Sequence, residues 1–279
     1  MQPKITFLGT GGDPFVVGKQ KRASGGIVFC ADNIQILLDP GPGALIKAKE
    51  YKINLRETTA VCVSHGHLNH SNDLNAVISA MTYNGLDAQG VIVGSSSAIN
   101  GFSDEDKNIV ISPSLSSFFS KCVEKAIVLK AGQRLGIESI EIEALRTSHS
   151  DPTAIGFKFF TPEYVLTYSS DTAYFSGISE QYKKSDILIL NCVYPAEMKP
   201  KENLSEQDAE KIIAKAKPKL CILTHFGNRM IEQDPLYIAR EIQKKTGVQV
   251  IAAVDGLEIH PLSYSAKMNQ KTLNLYNKK

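Results

Sequence analysis

Five cysteines, at positions 30, 62, 122, 192 and 221, are spread over 279 residues, and no two of them form a CxxC pair. An odd, unpaired set excludes a secreted disulfide framework. Four of the five sit in apolar runs (IVFC, AVCVS, LILNCV and KLCIL), so reduced, buried thiols in a cytoplasmic protein are expected. No apolar run approaches the ~20 residues needed to span a bilayer. The opening stretch MQPKITFLGTGG has too short an apolar run, and no cleavage-site pattern, for a secretory leader. Charge of one sign is also scarce: the formal net charge is +2 and the pI about 8.2. There is no basic stripe interleaved with aromatics of the kind that grips single-stranded nucleic acid. No linker rich in Pro, Gly and Ser divides the chain, and no short-period repeat is visible. One domain over residues 1–265 is therefore expected, followed by a polar, basic and loosely held tail over 266–279, AKMNQKTLNLYNKK.

What remains is an ordinary globular mixture, 43% hydrophobic and 22% charged, long enough to bury a large core. Strand patterns run through KITFLGT (4–10), GIVFCA, IQILLDP, TAVCVS (59–64) and GVIVGS, and then through AIVLK, IESIEIEAL, TAIGFKFFT, EYVLTYSSD, DILILNCV, KLCILTH and VQVIAAVDGLEI. Helical spacing marks GALIKAKEY and DLNAVISAMTYNG, the latter with its end placed at Gly85. It also marks LSSFFSKCV, SEQDAEKIIAKA with Ser205 as N-cap, and PLYIAREIQKKTG. Two blocks emerge, each with strands first and strand–helix alternation later. Helices beside strands that are apolar on both faces predict a layered sandwich of sheets covered by helices.

Only six histidines occur, and three fall within the segment Ser64-His65-Gly66-His67-Leu68-Asn69-His70, straight after a buried strand pattern. His65 and His67 are two apart on an extended strand end, so both rings can face one side. Imidazoles so grouped suit Zn, Fe, Mn and related ions. His149, Asp171 and His225 each follow a strand pattern as well, and strand ends on one edge of a layered sheet can converge on one site. Any one of these three alone would read as a loop residue. His260, near the tail, reads as structural. Arg229 in LTHFGNRM offers a guanidinium that could pair with two phosphate oxygens, or simply be solvated. The loop GKQKRASGG over 18–26 could likewise flank the site or be plain surface.

Taken together, KITFLGTGG, the DPGPG turn, the histidine cluster, His149, SSDT, LTHFG and the DG near 256 resemble the metallo-β-lactamase superfamily over nearly the whole chain. The resemblance implies a four-layer αββα sandwich holding one or two metal ions, with Zn expected and Mn, Fe or Ni as alternatives. It implies His65, His67 and His149 on one ion, His70 and His225 on the other, and Asp171 bridging. The family's HxHxDH pattern is broken, because Asn69 stands where an Asp belongs. A neutral amide is a weaker ligand and cannot take a proton, so a weakened second ion or a one-ion site follows, with Asp171 and Asn69 as the candidate groups beside the nucleophile.

YSSDT and LTHF are similar to segments of the phosphodiesterase-like branch, including the tRNA 3′-processing endonucleases. The expected activity is hydrolysis of a small-molecule or nucleotide phosphodiester by hydroxide generated on the metal. Between His149 and Asp171 there is no room for the tRNA-gripping arm of those nucleases, and no histidine occurs near Asn203-Leu204-Ser205, where they carry a further catalytic one. Two other readings stand beside this: a catalytically weakened metal protein used for binding or regulation, and an RNA-processing nuclease. No membrane partner is expected, and relatives of this branch imply a homodimer. No flavin segment is present to support di-iron redox chemistry.

Overall fold

The computed structural model describes residues 2–198 and 200–265; the expected tail over 266–279 lies outside them. The strands of the first half are β1 (Lys4–Phe7), β2 (Ile27–Ala31), β3 (Ile34–Leu38), β4 (Thr58–Val63), β5 (Val91–Gly94), β6 (Phe102–Ser103), β7 (Val110–Ile111) and β8 (Lys125–Val128). Those of the second are β9 (Arg134–Ile137), β10 (Ile140–Arg146), β11 (Ile155–Phe160), β12 (Val165–Tyr168), β13 (Ile187–Tyr194), β14 (Leu204–Ser205), β15 (Leu220–Thr224), β16 (Gln249–Ala252) and β17 (Glu258–Ile259). The helices are α1 (Pro14–Gly18), α2 (Ala44–Glu50), α3 (Leu68–Ser71), α4 (Leu74–Thr82), α5 (Ser96–Asn100), α6 (Ile178–Gln181), α7 (Glu206–Ala216), α8 (Asn228–Glu232) and α9 (Pro235–Thr246).

Two mixed sheets form, ordered β17-β1-β2-β3-β4-β5-β8 and β16-β15-β13-β12-β11-β10-β9, with β14 beside β13. Period-two side-chain alternation explains why they stack. On β13, Ile187 and Ile189 enter the core between the sheets, while Leu188 and Leu190 enter a second core under α7 and α9. On β4, Ala60 and Cys62 face the other sheet and Val61 and Val63 face α2 and α4. Each such fully buried aliphatic side chain is worth roughly 1.5–3 kcal/mol. The result is the expected helix–sheet–sheet–helix order, and all five cysteines are buried and unpaired in it. Among the described residues no helix is long and apolar enough to cross a membrane.

Several local expectations are corrected. β1 stops at Phe7 because the chain then crosses to the second sheet, where Gly11 bridges Phe226. LSSFFSKCV forms only a 3-10 turn, Phe119–Lys121, in a serine-rich stretch where the Ser116 hydroxyl takes the backbone N–H of Phe119. The α4 helix ends at left-handed Tyr83 and Asn84 (φ 50° and 58°), ahead of Gly85. The alternating strand is a hairpin, β9 with β10, turning at Glu138. Ser205 caps α7 as anticipated, in a reciprocal capping box with Asp208.

Candidate metal centre

Strand direction brings the site together. β3, β4, β5 and β8 run parallel, as do β12, β13, β15 and β16, so their carboxyl ends share one edge of the sandwich. Asp39 follows β3, His65 to His70 follow β4, His149 follows β10, Asp171 follows β12 and His225 follows β15. His65, His67 and His149 each offer a ligand atom within 4.8 Å of the others, and so do His65, His70 and Asp171. His225 Nε2 lies 3.3 Å from Asp171 Oδ1, so all six sequence-predicted His and Asp residues are gathered.

In the first half of the centre two imidazoles, those of His65 and His149, turn Nδ1 outward to a hydrogen-bond partner. Ser64 Oγ gives its hydrogen to Asp39 Oδ2 (2.7 Å) and therefore accepts from His65 Nδ1 (2.9 Å). His149 Nδ1 donates to the Glu202 carbonyl at 2.8 Å. Each of these rings is left with a bare lone pair on Nε2. Both lone pairs face His67 Nδ1, at 3.0 Å from His65 and 3.1 Å from His149. One N–H on His67 can satisfy only one of them. Burial pushes the His65 pKa well below its ordinary value, and His67 is lowered by burial and then by His149. Two nitrogen lone pairs converging on a third nitrogen that has at most one proton to share fit a cation, as does the outer hydrogen bonding that sets the His65 and His149 tautomers.

The second half is ionic. His70 Nδ1 donates to Asp39 Oδ2 at 2.8 Å, while its buried Nε2 has no hydrogen-bond partner and lies 3.3 Å from Asp171 Oδ2. Burial opposes a charge on His70, yet Asp171 and Asp39 outweigh it and carry its pKa up to about 10. Burial would likewise raise Asp171, but His225 and His70 hold it well below the usual carboxylate range. Asp171 Oδ1 lies 3.3 Å from His225 Nε2 and accepts from Asn191 Nδ2 at 2.7 Å. The orphaned His70 nitrogen and the facing carboxylate also suit a cation.

Asn69 sits beside this half with its amide nitrogen inward. Nδ2 donates to the Gly12 carbonyl (3.1 Å) and lies 3.2 Å from His225 Nε2. The carbonyl of Gly12 accepts only, so it fixes which end of the amide faces it, and a nitrogen rather than a ligating oxygen stands next to His225.

Asp39 and Asn191 were not anticipated as site residues. Asp39 accepts from Ser64 N and Oγ, His70 Nδ1 and the Tyr168 hydroxyl. The visible signals were a carboxylate closing an apolar strand and a lone Asn inside the run LILNCV. Asp39, Ser170 and His225 all hold left-handed backbone, at φ 46°, 56° and 61°. Such conformations cost about 1–3 kcal/mol each and gather at functional sites. The glycine-rich turns serve close packing: a Cβ on Gly12 would come within 2.2 Å of the His225 carbonyl oxygen, and one on Gly41 within 2.1 Å of that of Asn69.

Arg229 is not brought to the site. It is exposed on α8 and does not line the cleft above the histidines. The 18–26 loop is part surface and part anchor: Arg22 donates to Thr10 Oγ1 and the Ala253 carbonyl, each at 2.9 Å, and Ala23 N donates to Asp255. His260 is exposed on the 3-10 turn following β17. The expected absence of a long arm is visible as the tight β11–β12 hairpin between His149 and Asp171.

Comparison with known proteins agrees with this architecture. The sequence profile of the β-lactamase superfamily domain matches residues 35–226. An uncharacterized protein of Methanocaldococcus jannaschii is 32% identical over 265 residues, covering 94% of this chain and 97% of that one. Ribonuclease Z of Clostridium botulinum is 21% identical over 91% of this chain and 96% of its own. The crystal structure of the metallo-β-lactamase fold protein YhfI from Bacillus subtilis superposes with a TM-score of 0.75 at 21% identity, covering 92% of this chain and 99% of that one. The strand-end histidines, the paired sheets and these matches together place the chain in the β-lactamase superfamily, a family of metal-dependent hydrolases.

Proposed function

We propose that this protein is a metal-dependent phosphodiesterase acting on a small-molecule or nucleotide phosphodiester. His65, His67 and His149 would hold one divalent ion, and His70, Asp171 and His225 would offer a second, weaker place. The observation that carries the reading is the outward pinning of the His65 and His149 protons, which leaves their lone pairs aimed at His67. A divalent cation supplies Lewis acidity and lowers the pKa of water from 15.7 to about 7. Zn is the first choice for such donors, and Mn, Fe and Ni also suit them.

The chain's own residues do the rest. Asp171, its Oδ1 held by Asn191, keeps Oδ2 toward His70 and within 4.0 Å of His149 Nε2, between the two halves. From there it orients a water and holds that water's proton. Asp39 and Glu202 keep the imidazoles in their tautomers. The ribonuclease relative, an enzyme that cleaves phosphodiesters, supports the reaction class. Turnover of bis-p-nitrophenyl phosphate by protein loaded with Zn, Mn or Ni, lost in His67→Ala, is the expected result.

One observation favours a second reading, a centre kept for binding or regulation: the Asn69 amide turns a nitrogen toward His225. Tight metal binding without turnover under any of the three ions would establish that role instead.

A further inference from the structure

We infer that the substrate carries a single negative charge and at least one uncharged, largely apolar arm; this rests on the phosphodiester reading above. The cleft over His67, Asn69, His149 and Asp171 has a volume of about 560 Å³, the size of a small-molecule pocket. Among the described residues that line it there is no Lys or Arg. Of the basic side chains of the neighbouring loop, Lys21 is engaged on Asn228 and Arg22 on Thr10 and Ala253, while Lys19, exposed next to Gly18, is not part of the lining. Glu202 lines the same cleft and adds negative charge. A polyanion needs Lys or Arg to neutralise its phosphates, and none lines this cleft, so a metal held by the histidines would meet a single anionic group.

The rest of the wall is apolar. Pro14 and Val17 of α1, Pro42 and Leu68 line the cleft. Leu68 is 67% exposed and Phe15, beside Pro14 on the same short helix, is 68% exposed. Large hydrophobic side chains left open beside a reactive centre gain by covering, and a substrate arm is the group that the centre itself brings there. Asn203 also lines the cleft, with its Oδ1 buried and unpartnered, so a neutral donor on the arm has a place to bond.

A second groove, also about 560 Å³, meets the first at His67 and Leu68 and is lined by Val110, Ile111, Pro113 and serines. It too has no Lys or Arg among its described lining residues. Two grooves parting at one metal ligand match the two arms of a diester.

Calorimetry on the metal-loaded full chain tests this without requiring turnover. Diphenyl phosphate, a monoanion with two apolar arms, should bind at least about tenfold more tightly than thymidine 3′,5′-bisphosphate. Leu68→Lys should narrow or invert that preference, by weakening the first ligand and strengthening the second. The isosteric control Leu68→Met should leave the order unchanged, which separates lost chemistry from lost folding. Equal or tighter binding of the bisphosphate to the unmodified protein overturns the inference. Failure to cleave any diester while the binding preference holds would sink the catalytic reading and leave the specificity standing. In the same way, cleavage with inverted preference would sink the specificity alone.

Discussion

His67 and His70 lie three residues apart in the chain yet meet different electrostatics. Around His67 stand two imidazoles with their protons turned away, and Asp171 comes no nearer to His149 than 4.0 Å. Around His70 stand two buried carboxylates, and it carries a proton well above neutrality. A cation entering the first half relieves crowded lone pairs. One entering the second must displace the proton of His70 from between two carboxylates, and it finds an amide nitrogen at Asn69. The two halves thus differ in what they lose when metal arrives, and the ligand count alone does not reveal it.

The strongest way to break this contrast is Asp171→Asn. It leaves His225 without a carboxylate and His70 with Asp39 alone, and the metal-free protein should lose about 1–3 kcal/mol in denaturant unfolding. A loss under 1 kcal/mol would show that the second half is not an ion pair. Asp39→Asn removes the direct anchor of His70 and, through Ser64, the relayed anchor of His65, so it should weaken metal in both halves, by about 10–100-fold in the second and by less in the first, in competition with a chelator. Weakening confined to the first half would contradict the direct contact with His70. Asn69→Asp puts a carboxylate beside His225, and should raise second-ion affinity by about tenfold, seen as metal content moving from one toward two ions per chain. Two tightly held ions in the unmodified protein would contradict the weak second place. The smallest effect concerns stability: His67→Ala abolishes first-half metal but should change the unfolding free energy of the metal-free protein by no more than about 0.5 kcal/mol, since only crowded lone pairs are lost.

The site was legible where residue type and strand position coincide. His65, His67, His70, His149, Asp171 and His225 all follow apolar strands, and that pattern together with the superfamily resemblance nominated them. Asp39 and Asn191 were hidden because a single polar residue at or inside a strand reads the same whether it is a turn, a bulge or a partner to a ligand. Arg229 shows the opposite failure. Its chemistry suited a phosphate, but α8 turns it to solvent, and one residue's rotation about a helix axis is not written in local spacing.

The sequence by itself determined the layered class, through period-two apolar strands buried on both faces, and the identity of the candidate ligand side chains, because imidazole and carboxylate chemistry travels with the residue. The tertiary structure alone decided the protonation of those groups and the character of the two halves. A tautomer or an ionic state depends on which neighbour lies within about 3 Å, and those neighbours, Asp39 and the Glu202 carbonyl at the histidines and Asn191 at Asp171, arrive only once distant strands share an edge.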